Sequence, residues 1–226
     1  MEDISLKIIA KMKSDFPDKF GIPRQSGMVD SLTSTIIFEP EYRNSDALRG
    51  LDDFTHLWII WQFSKAVRKS WSPTVRPPRL GGNTRMGVFA TRSPFRPNAL
   101  GLSSVKILAL EHTRELGTII HVSGADLMDG TPIFDIKPYI PYSDCHPDAT
   151  GGFADAVSDF MLKVDISLEL SKKVPEGKRE ALVDILSHDP RPSYQDDIER
   201  IYGLSFAGMN VRFRVQEKTL TVLEIT

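Results

Sequence analysis

Along the first 140 residues the apolar positions fall in short runs, cut by proline, glycine and polar turns. That spacing predicts strands, and strong helical periodicity is missing there. Ile4 to Met12 alternates loosely and predicts a first strand. Thr33 to Glu39, TSTIIFE, predicts a second by its β-branched content. Tyr42 to Leu48 is polar with one apolar side and predicts a short helix. Phe54 to Phe63, FTHLWIIWQF, is strongly apolar and aromatic and predicts a central strand. Met86 to Thr91 is short, apolar and partly β-branched, which predicts a buried strand. Leu102 to Leu110 and Thr118 to Ser123 predict two more, turning through Glu111 to Gly117.

The pattern changes after Tyr139. Pro141 to Gly152 is polar, with proline, aspartate and Gly-Gly, and is the best domain boundary. Beyond it, Phe160 to Leu168 predicts a strand. Pro175 to Ser187, PEGKREALVDILS, predicts an amphipathic helix with proline and glutamate at its start. Gly208 to Thr226 predicts a hairpin, NVRFRV then LTVLEI, turning at Gln216 to Thr219. The expected fold is a mainly β N-terminal domain, a small closed or nearly closed β-barrel over residues 1–145. A smaller α+β C-terminal domain is expected over residues 153–226. A chain of 226 residues, 41% hydrophobic, suits that division.

Composition narrows the function classes. The single cysteine, Cys145, excludes an internal disulfide and a Cys-rich zinc site, and no metal is expected. The start, MEDISLKIIAKMKSDF, has acids where a signal peptide would be basic. No run approaches a membrane span, so a cytoplasmic protein is expected. Charge is distributed unevenly. From Phe54 to Leu110 there are nine cations and no acids, while the whole chain carries −2. A solvated face normally mixes signs. A single-sign field favours a polyanion such as nucleic acid, nucleotide phosphate or an acidic membrane. Phe54, Trp58, Trp61, Phe63, Trp71, Phe89 and Phe95 are interleaved with these cations. Some belong to a core; others can stack on unpaired bases.

The stretch that organises the chain is Arg79 to Gly101, RLGGNTRMGVFATRSPFRPNALG. Pro94 and Pro97 stiffen a loop that holds Arg92, Arg96 and Asn98. Before it, Lys65 to Asn83 is a long, basic, proline-rich loop, and Trp71 within it favours function over disorder. In FGIPRQ, Phe20 to Gln25, Pro23 pins Arg24. Gly124 to Tyr139, GADLMDGTPIFDIKPY, gathers Asp126, Asp129 and Asp135. Leu127, Met128 and Pro132 are wrong for a calcium loop, and its bidentate glutamate is missing. These aspartates read equally as turn-formers capping strand ends or as a carboxylate cluster facing a cationic or hydrogen-bond-donating ligand. There is no G-x-G-x-x-G after a strand and no P-loop. Ser93 lies in TRSPFRP and not in G-x-S-x-G, and no zinc-deaminase signature occurs.

The segments FGIPRQSG, ALRGLDDFTHLWIIWQF, SPTVRPPRLGGNTRMGVFATRSPFRPNALG and DLMDGTPIFDIKPYIPY resemble the TrmO/TsaA-like (YaeB-type) family of tRNA methyltransferases. DPRPSY and the NVRFRV hairpin extend the resemblance over nearly the whole chain. It implies a small β-barrel that binds S-adenosylmethionine without a Rossmann fold, and a homodimer. It implies methylation of N6 of N6-threonylcarbamoyladenosine at position 37 of tRNA, in the anticodon stem-loop. Carried over by position, it implies cofactor contacts at Pro23, Arg24, Gln25, Ser64, Lys65, Arg92, Leu102, Asp126, Leu127, Met128 and Asp129. Ser64-Lys65 stands where the family often has His-Gln. Asp135, Lys137 and Tyr139, with Arg96 and Asn98, are the candidates for the reacting end. Arg76, Arg79 and Arg85 are the candidates for tRNA contact. The rival readings are a non-enzymatic RNA-binding barrel and a small-molecule methyltransferase.

Overall fold

The structure is a computed structural model. It describes residues 4–77, 80, 82–157, 160–191 and 197–226. Arg79, one of the expected tRNA contacts, lies outside them. In chain order the N-terminal part holds β1 (Ala10–Lys13), β2 (Thr33–Phe38), β3 (His56–Gln62), β4 (Thr74–Val75), β5 (Met86–Gly87), β6 (Leu100–Thr113), β7 (Gly117–Ser123) and β8 (Pro132–Pro138). Six of these pair in the order β1-β2-β7-β6-β3-β8 and close into a barrel. The closing seam is narrow: β8 meets β1 only at Ala10–Ile133 and Lys11–Pro132. By contrast β3 and β6 align over seven pairs, from His56–Lys106 to Gln62–Leu100.

Period-two alternation fills the barrel. Leu57, Ile59 and Trp61 of β3 point inward and are buried, while His56, Trp58, Ile60 and Gln62 are half-buried on the outer side. Gly101 of β6 faces Trp61 in register. A Cβ there would lie 2.3 Å from the indole, so only glycine lets Trp61 lie across β6.

α1 (Pro141–Asp144) follows the barrel, and the C-terminal part holds β9 (Lys163–Asp165), α2 (Leu168–Lys173), α3 (Glu176–Ser187), β10 (Tyr202–Phe206), β11 (Met209–Gln216) and β12 (Thr219–Ile225). Its sheet runs β10-β11-β12-β9, with β9 parallel to β12. α3 buries Ala181, Leu182, Ile185 and Leu186, one stripe of a 3.6-residue period, against that sheet. Phe16, Val29 and Leu32, from the connection between β1 and β2, complete the same core. Asp15 pairs with Lys178 at 2.5 Å, and Ser31 donates to Asp184 at 2.5 Å. Residues 14–32 are therefore packed with the second core although they precede most of the barrel in sequence.

Several elements differ from expectation. The first strand starts only at Ala10, and Ile4 and Leu6 before it are exposed. Tyr42 to Leu48 forms no regular helix; single 3₁₀ turns stand at Pro40–Tyr42 and Ser45–Leu48. Met86 to Thr91 is not a buried strand. After two paired residues the chain winds into a 3₁₀ turn, Val88–Ala90, which buries Val88 and turns Phe89 outward. A short apolar run does not reveal which of its residues face in, and here the period is three. β8, α2 and β10 were not expected as separate elements, and the strand predicted from Phe160 to Leu168 shrinks to Lys163–Asp165. Among the described residues no helix is long and apolar enough to cross a membrane.

Candidate active site

Asp126 lies in the loop between β7 and β8, at the end of a hydrogen-bonded chain that begins inside the barrel. The Trp61 indole Nε1 donates to Ser103 Oγ at 2.9 Å, and Ser103 Oγ donates to Asp126 Oδ1 at 2.5 Å. Ser103 faces inward because it alternates with Gly101 and Val105 along β6. Ser26 joins from the β1–β2 connection: its backbone N–H serves Asp126, and its hydroxyl accepts from the Ser104 N–H at 3.2 Å. Beside them Arg92 donates to Gln25 Oε1. Burial pushes the Asp126 carboxyl above the usual carboxylate range. The Ser103 hydroxyl, its own backbone N–H, the Arg92 charge and the Ser26 N–H pull the other way without cancelling the burial. Of the expected cofactor residues, the structure thus brings together Gln25, Arg92 and Asp126. Trp61, named from sequence only among the interleaved aromatics, completes the cluster with Ser103 and Ser26, which sequence did not single out. The Ser-Ser pair inside the apolar run LGLSSVKIL is the signal that could have found Ser103.

The other expected cofactor residues lie elsewhere. Pro23 and Arg24 line a narrow cleft of about 40 Å³ against the end of α3, too small for a nucleoside. Arg24 donates there to the Asp189 and Arg191 carbonyls, each at 3.2 Å. The loop therefore serves the C-terminal core with one side and the Asp126 cluster with the other. Leu127 is fully buried in the barrel core. The Met128 carbonyl accepts from the Thr131 hydroxyl at 2.7 Å. Asp129 accepts from the Ser14 N–H at 3.0 Å and pairs with Lys13 at 3.3 Å, tying the loop to the end of β1. Ser64 and Lys65 form an exposed turn after β3.

A second group stands on the outer face of the barrel. Asp135 and Leu102 both pair with Ile60, so the three share one row across β8, β3 and β6. Lys137 pairs with Asp135 at 3.3 Å and is in register with Trp58. The Tyr139 ring packs on Trp58 at 5.6 Å between centroids, and partial burial raises its phenol above the ordinary value. Asp144 accepts from Trp58 Nε1 at 2.8 Å and from the Ile140 N–H at 2.9 Å; these bonds, the Ile140 bond first, hold its carboxyl low.

Arg96 and Asn98 belong to neither group. Arg96 turns back to the Thr91 carbonyl at 2.7 Å and lies over the Phe89 ring, while Asn98 is exposed. Arg76 and Arg85 line a notch of about 250 Å³ with Ser72, Thr74 and Val75. Among the described residues no group of three or more His, Cys, Asp or Glu could hold a metal ion.

Comparison with known proteins bears directly on this arrangement. The tRNA-methyltransferase O N-terminal domain matches residues 11–145, and the TrmO C-terminal domain matches residues 159–226. The chain belongs to the TrmO family of S-adenosylmethionine-dependent tRNA methyltransferases. It is 36% identical to the tRNA (adenine(37)-N6)-methyltransferase of Escherichia coli, over 100% of this chain and 99% of that protein. It is 46% identical to the enzyme of the same name from Eikenella corrodens, over 76% of this chain and 96% of the relative. A crystal structure of TrmO from Pseudomonas aeruginosa matches with a TM-score of 0.78 at 29% identity, covering 100% of both chains.

The Asp126 cluster suits the cofactor of the TrmO family. Ribose hydroxyls and an adenine amino group are donors, and a half-buried carboxylate is the acceptor that pays best for them, through charge-assisted bonds. Gln25 offers both an acceptor and donors beside it. The Trp61–Ser103 chain fixes the rotation of that carboxylate, which is what a preorganised site requires.

Proposed function

We propose that this chain transfers a methyl group from S-adenosylmethionine to N6 of N6-threonylcarbamoyladenosine at position 37 of tRNA, acting as a homodimer. The domains are residues 1–145, carrying the chemistry, and residues 153–226. The observation that carries the reading is the Asp126 carboxylate, oriented by Ser103 and flanked by the Arg92–Gln25 pair, inside the span matched by the N-terminal TrmO domain.

S-adenosylmethionine supplies an electrophilic methyl group when bound. Asp126 and Gln25 hold its nucleoside part. The acylated N6 is a poor nucleophile because its lone pair is delocalised, so an acceptor for its proton matters. Asp135 is that acceptor, positioned beside Lys137 at 3.3 Å, and contributes roughly 10²–10⁴-fold. Its row-mate Ile60, with exposed Leu102 beyond it, offers an apolar surface next to the carboxylate for the base. The threonyl carboxylate of the substrate calls for a guanidinium, which Arg92 supplies from the donors it does not use on Gln25. Positioning provides much of the remaining rate.

The test is methyl incorporation from labelled S-adenosylmethionine into two tRNA pools, one bearing the threonylcarbamoyl group and one lacking it. Label is expected only in the modified pool. Equal label in both pools removes the role given to the threonyl carboxylate. Label in neither overturns the enzyme reading.

A further inference from the structure

The loop between β3 and β6 carries an exposed feature that the methyl-transfer reading leaves without a role. Trp71 is 51% exposed and Phe89 is 69% exposed, yet their rings stand together, 6.0 Å between centroids and tilted by 32°. Such large apolar faces are costly to leave in water singly and more so as a pair. Local structure holds them there. β4 and β5 form a two-stranded ribbon through Thr74–Gly87 and Val75–Met86, and the Val88 N–H extends it to the Pro73 carbonyl at 2.9 Å. The 3₁₀ turn then buries Val88 and turns Phe89 outward, while Arg96 lies over the Phe89 ring at 5.9 Å. The ribbon register also sets Arg76 and Arg85 across from one another at its opposite end, around the 250 Å³ notch. Rings at one end and guanidinium groups at the other are separated by at most roughly 16 Å of extended chain.

We propose that Trp71 and Phe89 are a stacking floor for an unpaired nucleobase of the RNA, with the adjoining backbone phosphate held in the Arg76–Arg85 notch. This rests on the reading of the chain as a tRNA methyltransferase. Charge complementarity selects the occupant: from Phe54 to Leu110 the chain has nine cations and no acid, so this stretch itself favours an anion. A cationic track alone would suit any polyanion. Flat, exposed rings beside it suit a strand whose bases are unstacked, because every base has a π-face and a duplex hides it. Rings 6.0 Å apart leave no slot for a base between them, so the base lies on the pair as on a step.

The experiment compares binding of an anticodon stem-loop and of a blunt RNA duplex of equal phosphate number. It uses the full chain and its Trp71→Ala, Phe89→Ala and Trp71→Phe variants. Each alanine variant is expected to bind the stem-loop roughly tenfold more weakly, with duplex binding and the salt slope unchanged. Trp71→Phe is expected to restore most of the loss. Both side chains are exposed, and an unchanged melting temperature shows that the fold is intact. Equal weakening toward loop and duplex, or no weakening toward either, overturns the stacking floor. Methyl transfer by the unaltered chain separates the two ideas. Transfer to tRNA with no effect of the rings rejects the floor alone, and no transfer rejects the reading beneath it.

Discussion

The Asp126 cluster and the β4–β5 ribbon handle polar groups in opposite ways. In the cluster each of a few groups has a specific partner: Trp61 to Ser103, Ser103 to Asp126, Arg92 to Gln25. Desolvation is strong enough there to move a carboxyl, so one residue carries a large effect. On the ribbon the cations face solvent, each interaction is screened, and the effect resides in the sum. A buried site is thus sensitive to single substitutions and to pH, whereas an exposed cationic surface is sensitive to salt.

The sharpest contrast comes from Asp126. Asp126→Ala is expected to weaken S-adenosylmethionine binding by about 1.5–3 kcal/mol, with RNA affinity unchanged, as read by titration calorimetry with each ligand. Equal loss toward both ligands would make Asp126 a folding residue. The pH dependence has a definite sign. The native state raises this carboxyl, so it binds the proton more readily than the unfolded chain does. Its contribution to stability is greatest below the ordinary carboxylate value, falls as pH rises toward the raised value, and is level above it. Cofactor affinity runs the other way, because the ionised form is the acceptor: weak below the raised value and strong above it. Asp126→Asn is expected to abolish both trends.

Gly101→Ala is expected to act through packing. The new methyl meets the Trp61 indole at 2.3 Å, so the ring moves and its bond to Ser103 is lost. Overpacking of this kind costs roughly 1–3 kcal/mol. For a chain of this size that lowers the melting temperature by about 2–4 °C per kcal/mol. Cofactor affinity should fall with it, since Ser103 orients Asp126. A lowered melting temperature with undiminished cofactor affinity would show that the Trp61–Ser103 chain supports the barrel and not the site.

These residues also mark what the sequence makes legible. FTHLWIIWQF announces β3 because its apolar and aromatic content is dense, but Leu57 to Trp61 is apolar throughout, so which residues point inward shows only in the structure. The hairpin of β6 and β7 is legible from its apolar runs, and α3 from its amphipathic stripe with proline and glutamate at its start. The cluster is less so. Trp61, Ser103 and Asp126 are separated by 42 and 23 positions, and it takes the β3–β6 and β6–β7 pairings to bring them together. Asp126, Asp129 and Asp135 look alike in sequence, yet one is half-buried in a polar cluster, one caps the end of β1, and one stands on the outer barrel face. Composition cannot separate them because burial is a property of the closed sheet. Phe89 escapes for the converse reason: a 3₁₀ turn breaks the alternation that the apolar run suggests.

The smallest effect is expected on the ribbon. Replacing Arg76 and Arg85 together by alanine removes two of the nine cations between Phe54 and Leu110. If each meets one phosphate of an unpaired strand, the slope of log affinity against log salt flattens by about 0.7 per residue. Affinity at low salt falls modestly and converges with that of the unaltered chain at high salt. S-adenosylmethionine affinity stays constant, since neither arginine touches the Asp126 cluster. An unchanged slope would take the notch out of the RNA surface. A steep loss independent of salt would mean that the two guanidinium groups read a specific group and do not merely neutralise charge, and the ribbon would then resemble the buried cluster more than its exposure suggests.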